Sequence, residues 1–230
     1  MASGSAAGET RAGAVRAVLF DAVGTLIRLR EPVGETYARL AGVGEPAAIG
    51  SAFANLLRAR SAMVFTDRRA AAVRAVEREW WEGLVRDVFA ATGVALPDGA
   101  FPALWAHYAS AAAWQAAPGA HALLETLRAA GLRTGVVSNF DHRLPAVLEA
   151  LALAPLLEDV VLPADAGAAK PDSRIFALAL SRLGVRAEET VYVGDDARED
   201  VAAAQAAGMR AVDVRTLADL TELTARLAVA

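Results

Sequence analysis

The stretch Ala17-Val18-Leu19-Phe20-Asp21-Ala22-Val23-Gly24-Thr25-Leu26 decides the fold. Four apolar residues run directly into a carboxylate, and a Gly-Thr turn follows at once. A short continuous apolar run bounded by a turn signal reads as a strand buried on both faces, the kind found in parallel sheets. Open α/β sheets bind ligands in the crevice outside the carboxyl ends of their strands, so Asp21 is delivered to a reactive position. Two residues on stands Val23, so no second carboxylate accompanies the first.

Downstream, the apolar runs at residues 134–137, 160–162 and 190–193 repeat the pattern, and residues 211–214 offer a fifth strand. Amphipathic helical segments lie between them. Residues 120–130 stop at Gly131, residues 144–151 follow the same period, and residues 175–183 end at Gly184 as a C-cap. Alternating strand and helix implies a parallel sheet with right-handed crossovers. Residues 29–114 break the alternation: 37–40, 52–60, 70–89 and 103–113 carry helical periodicity with almost no strand signal. Trp80, Leu84 and Val88, like Trp81, Val85 and Phe89, fall at four-residue steps and give 70–89 a broad apolar face. The expected fold is therefore α/β, with a Rossmann-like parallel-sheet core from residues 14–28 and 115–230. An all-helical insertion at 29–114 would overhang Asp21 as a lid.

Bulk composition agrees with a packed protein. Of 230 residues, 55% are hydrophobic and 22% charged, which favours a sizeable core over disorder. A net charge of −4 provides no electrostatic footprint for nucleic acid or an anionic membrane. Without cysteine there are no disulfides and no thiolate metal sites, which is compatible with a cytoplasmic protein. Residues 1–13 are small and polar, lack the regions of a signal peptide, and read as a disordered tail. The longest stretch without Asp, Glu, Lys or Arg, residues 99–124, is interrupted by Pro, His and Gln, so no membrane span is expected.

Three further segments carry polar residues at strand ends or before a helix: Val137-Ser138-Asn139, Ala169-Lys170-Pro171 and Gly194-Asp195-Asp196-Ala197-Arg198-Glu199-Asp200. Parallel strands sharing one carboxyl edge would gather Asp21, Ser138, Lys170, Asp195 and Asp200. Carboxylates plus water suit Mg²⁺, a hard cation that prefers oxygen ligands. A serine hydroxyl, an ammonium and backbone N–H groups suit a phosphate. The combination points to nucleophilic catalysis of phosphoryl transfer by an aspartate.

Asp21-x-x-x-Thr25, Ser138-Asn139, Lys170-Pro171 and Gly194-Asp195-Asp196-x-x-x-Asp200, in that order, resemble the motifs of the haloacid dehalogenase-like hydrolase superfamily. The resemblance covers residues 15–215, with the helical insertion in place of a four-helix C1 cap. Residues 28–35 and 138–144 resemble the branch containing haloacid dehalogenase-like hydrolase domain-containing protein 3. The resemblance implies that Asp21 attacks phosphorus and becomes an aspartyl phosphate. Mg²⁺ would be held by Asp21, the Val23 backbone carbonyl and Asp195. Ser138 and Lys170 would hold the phosphate together with Thr25 and Asn139, Thr25 also buttressing the loop. Asp196 and Asp200 would be supporting, Asp200 by orienting Lys170 or a water. Phosphatases of this kind carry a second Asp at the position of Val23, as general acid for the leaving alkoxide. Such help is worth about 10²–10⁴-fold, so ordinary phosphomonoesters should turn over slowly and acyl phosphates should tolerate Val23 best.

Several readings stay open in the sequence. Asp196 either touches the metal or caps the next helix, and Asp141 either N-caps a helix or, with His142, replaces the missing acid. Trp80, Trp81, Trp105 and Trp114 read as cap core before substrate wall. Arg28, Arg30, Arg68 and Arg69 include candidates for an anion contact, most of them solvated. The first alternative activity is a metal-independent 2-haloacid dehalogenase, which also lacks the second Asp but replaces the acidic fourth motif. The second is a phosphate- or partner-binding protein with vestigial activity. The expected partner is a small phosphorylated, or halogenated, molecule, with no nucleic acid and no membrane, bound by a monomer or homodimer.

Overall fold

The computed structural model describes residues 14–63 and 69–227, so the expected tail at 1–13 and Arg68 lie outside the described residues. In chain order, strands β1 (Ala17–Phe20) and β2 (Ile27–Leu29) precede helices α1 (Val33–Ala41), α2 (Pro46–Ala59), α3 (Ala70–Ala91) and α4 (Ala100–Tyr108). Then come β3 (Trp114–Ala116), α5 (Ala120–Ala129), β4 (Arg133–Val137), α6 (Leu144–Ala150) and β5 (Asp159–Val161). The chain closes with α7 (Pro163–Ala166), α8 (Ser173–Leu183), β6 (Thr190–Gly194), α9 (Ala203–Ala206), β7 (Arg210–Asp213) and α10 (Glu222–Leu227).

Five strands form one sheet in the order β5-β4-β1-β6-β7, and every pairing is parallel. The central strand β1 is buried on both sides because its side chains alternate between two cores. Val18 and Phe20 pack with Leu123 and Leu127 of α5 and Val147 and Leu148 of α6. Ala17 and Leu19 pack with Ile175, Phe176 and Leu183 of α8. An all-apolar run is what such a two-sided strand requires, and β7 supplies the fifth strand.

The remaining two strands were not legible. β2 and β3 pair antiparallel, Ile27 with Ala116, Arg28 with Gln115 and Leu29 with Trp114. Both boundaries drawn from sequence, 28/29 and 114/115, run through this ladder. Three-residue strands have too few alternations to show a period of two, and their pairing spans the whole helical segment. The ladder ties the two ends of that segment together, helped by the Arg30 Nε, which donates to the carbonyls of Ala111 at 3.1 Å and Trp114 at 2.6 Å. Arg30 is thus a backbone brace.

Helices α1–α4 build a core of their own from Tyr37, Ile49, Leu84, Val88, Phe89 and Leu104. α2 starts earlier than its periodicity suggests because Pro46 opens it and the Glu45 carboxylate accepts the N–H groups of Ala47 and Ala48. α4 ends at Tyr108 rather than 113, where Ser110 Oγ donates to the His107 carbonyl and accepts the Ala112 N–H. Among the described residues, no helix is long and apolar enough to cross a membrane.

Candidate active site

The carboxyl edge of the sheet gathers the motif residues. Asp21 follows β1, Ser138 follows β4, Asp195 follows β6, and Lys170 enters from the loop before α8. Lys170 is 4% exposed and its ammonium is shared three ways. Its Nζ donates to Asp21 Oδ1 at 2.7 Å, to Asp200 Oδ1 at 2.5 Å and to the Tyr192 hydroxyl at 3.1 Å. The second Asp200 oxygen accepts the N–H groups of Asp195 at 3.1 Å and Asp196 at 3.0 Å. Asp200 therefore orients Lys170 and pins the loop that carries Asp195.

Two glycines make this approach possible. At Gly24, φ is +91°, in the left-handed region that favours glycine, and an added Cβ would collide with the Asp195 carboxylate. A Cβ on Gly194 would collide with Asp200. The Gly-Thr turn after β1 and the Gly-Asp-Asp run after β6 are thus two halves of one close contact.

The other motif residues sort by geometry. The Asp196 carboxylate accepts the N–H groups of Arg198 at 2.8 Å and Glu199 at 2.7 Å, which makes it an N-cap. Asn139 clamps the lysine loop: its Oδ1 accepts the Lys170 N–H at 2.7 Å and its Nδ2 donates to the Lys170 carbonyl at 3.0 Å. Ser138 faces the cavity above Asp21, and its Oγ accepts the Phe140 N–H at 3.4 Å. Thr25 is buried, its hydroxyl has no partner among the described residues, and it lies off the cavity wall. The Val23 carbonyl is used by none of the hydrogen bonds that close the turn.

Electrostatically the cluster is short of positive charge. One ammonium faces the three carboxylates Asp21, Asp195 and Asp200, whose oxygens lie within 4.8 Å of one another. Burial pushes the Asp21 carboxyl up, against the pull of Lys170. Burial also works against the charged form of Lys170, but Asp21, Tyr192 and Asp200 outweigh it and hold the ammonium well above the ordinary lysine value. Asp195 is pushed up to about 6, first by burial and then by the charges of Asp21 and Asp200. A divalent cation would balance the two surplus negative charges, and oxygen donors are the ligands Mg²⁺ prefers. Both Asp200 oxygens are engaged, which leaves Asp21 and Asp195 as the carboxylates of this group with oxygen to offer a cation.

Two features escaped the sequence reading. Tyr192 is fully buried, with its hydroxyl 2.9 Å from the Val137 carbonyl and 3.1 Å from Asp200 Oδ1. Its signal was a phenol in an otherwise apolar buried strand, since a buried Tyr hydroxyl needs a partner. The second is a latch between the Ser138 loop and α3 and α4. Asp141 accepts Arg143 Nε at 2.8 Å and the Arg143 N–H at 3.0 Å on one oxygen, and Trp81 Nε1 at 2.8 Å on the other. Arg143 stacks 3.7 Å over the Trp105 ring, and the buried Glu77 carboxylate accepts the N–H of His142 and pairs with its ring Nδ1. Both Asp141 oxygens are thus taken by Arg143 and Trp81, and the His142 ring by Glu77, which places the pair in the latch. The cavity itself, about 1100 Å³, reaches from Asp21 up between the helices, and Trp80, Trp81, Trp105 and Trp114 all line it.

Comparison with known proteins agrees with this arrangement. The model of the haloacid dehalogenase-like hydrolase family matches residues 15–208, and the chain belongs to that family of hydrolases. Within it the chain falls in the branch of haloacid dehalogenase-like hydrolase domain-containing protein 3. The Danio rerio protein of that name is 36% identical over 203 residues, spanning 85% of this chain and 83% of the relative. A haloacid dehalogenase-type phosphatase from Thermococcus onnurineus superposes with a TM-score of 0.61 at 25% identity, covering 94% of this chain and 99% of that one. The L-2-haloacid dehalogenase of Xanthobacter autotrophicus superposes with a TM-score of 0.67 at 26% identity, covering 92% and 81%.

Proposed function

We propose that this hydrolase is a Mg²⁺-dependent phosphatase that works through an aspartyl phosphate on Asp21. The observation that carries the reading is Asp195, a half-buried carboxylate beside two others, with one lysine to balance all three. In this reading Asp21, the Val23 carbonyl and Asp195 hold the metal. The bound ion would neutralise charge on the transferring phosphoryl oxygens. Ser138 Oγ and Lys170 Nζ take phosphate oxygens, and Asn139 and Asp200 position Lys170. Thr25 is assigned to the turn that supports Asp21, and Asp196 to the helix start that follows the metal loop. Helices α1–α4, residues 29–114, serve as a cap that closes over the substrate.

The chemistry is constrained by Val23. With no carboxylic acid there, an alkoxide must leave without a proton, at a cost of about 10²–10⁴ in rate. Leaving groups that are stable as anions, such as carboxylates, avoid that cost.

The same Val23, and the likeness to the Xanthobacter enzyme, favour a second reading as a metal-independent 2-haloacid dehalogenase. That enzyme class has no use for a surplus of carboxylate beside the nucleophile, which is why the phosphatase is preferred. The test is hydrolysis of acetyl phosphate and of a 2-haloacid, each with Mg²⁺ and with EDTA. Phosphate release that requires Mg²⁺ is expected. Halide release in EDTA with no phosphate release would overturn the assignment.

A further inference from the structure

We propose that the group released from phosphate is aromatic, so that the substrate is the phosphate ester of a phenol or a fused-ring hydroxyarene. This rests on the phosphatase reading above and adds to it the class of leaving group. Two independent observations converge on it.

The first is the proton inventory. The site has no acid at Val23, and Asp141 and His142 are tied into the latch. A phenol, with a pKa of about 10, leaves as its anion far more readily than an alkanol. In the first step an Asp21 oxygen bonds to phosphorus as the P–O bond to the ring breaks, and the electron pair departs on the phenolate, which takes its proton from water. In the second, water attacks phosphorus and the bond to Asp21 breaks, giving inorganic phosphate and the free carboxylate. The sum is one ester plus one water to one phenol plus one phosphate.

The second is the cavity wall. Ring contacts run without a gap from the helical segment down to the phosphate end. Phe53 meets Tyr37 at 5.7 Å, Tyr37 meets Tyr108 at 6.1 Å, Tyr108 meets Trp114 at 6.0 Å, and Trp114 meets Phe140 at 5.5 Å between centroids. All four contacts are edge-on, the geometry in which a ring can be added with favourable quadrupoles. Phe140 is two residues from Ser138, so the wall begins beside the phosphate site. Along this run the wall offers ring faces and edges, while Arg58, Arg60, Ser61 and Arg143 line other parts of the same cavity. At about 1100 Å³ the cavity is also far larger than an acyl phosphate requires.

The test uses the full chain with Mg²⁺ and three substrates: acetyl phosphate, phenyl phosphate and 2-naphthyl phosphate. Phenol and 2-naphthol are of similar acidity, so their ratio reports the cavity and not the leaving group. Expected is a kcat/KM at least about tenfold higher for the naphthyl ester, carried by KM. Equal kcat/KM for the phenyl and naphthyl esters, with acetyl phosphate still hydrolysed, overturns the aromatic assignment and leaves the phosphatase standing. Failure to hydrolyse any of the three overturns both.

Discussion

Replacing Asp195 with Asn should stabilise the metal-free protein and at the same time abolish its response to magnesium. The folded chain holds Asp195 at about 6, against an ordinary 3.8, because burial and the neighbouring Asp21 and Asp200 charges disfavour ionisation. A folded pKa above the unfolded one means the folded chain binds more protons between those values. Stability therefore falls as pH rises through that window, and the penalty is complete above about pH 6. About two pKa units at 1.36 kcal/mol each would be roughly 3 kcal/mol, and solvent contact at this half-buried group reduces it to about 1 kcal/mol. For a chain of this size that is a rise of about 2–4 °C in Tm. Thermal melts at about pH 7.5 in EDTA, repeated at about pH 4 where wild type and Asp195→Asn should converge, measure it. Added Mg²⁺ should raise the wild-type Tm and leave the variant unmoved. A variant that melts below wild type in EDTA, or that still shifts with Mg²⁺, would refute the electrostatic account of Asp195.

Val23→Asp restores a carboxyl where an alkoxide needs its proton and should raise kcat for alkyl phosphates by about 10-fold or more; a flat response with Mg²⁺ still bound would show that proton delivery is not limiting. Tyr192→Phe removes an acceptor from Lys170 and a partner from Asp200 and the Val137 carbonyl, for a loss of about 1–2 kcal/mol in chemical unfolding and a raised KM for phosphate esters. Glu77→Ala leaves the His142 N–H and ring without their buried carboxylate, and urea titration should register a loss of about 2–4 kcal/mol. An unchanged midpoint would mean that the latch does not hold the Ser138 loop against α3.

Much of the core was readable because its signals are local. The run Ala17–Phe20 is apolar at every position, which only a strand packed on both faces requires, and the helices between the later strands keep their own period and their own glycine stops. The four motifs each sit where such a strand or helix begins or ends, so their convergence followed from parallel topology alone. The β2–β3 ladder was not readable, because it joins three-residue segments across the whole helical insertion. Nor were the pairings of Glu77 with His142 and of Trp81 with Asp141, since each partner taken singly is an ordinary helix or loop residue.

The sequence by itself determined the parallel α/β core, the identity of the residues at its carboxyl edge and the absence of an acid at Val23. These depend on residue type and short-range spacing. Only the tertiary structure decided how that edge is wired. It separated Asp196, a cap, from Asp200, which orients Lys170, and it brought in Tyr192. It also set the rings of Tyr37, Tyr108 and Trp114 around one cavity, because packing between elements far apart in the chain leaves no periodic trace in either one.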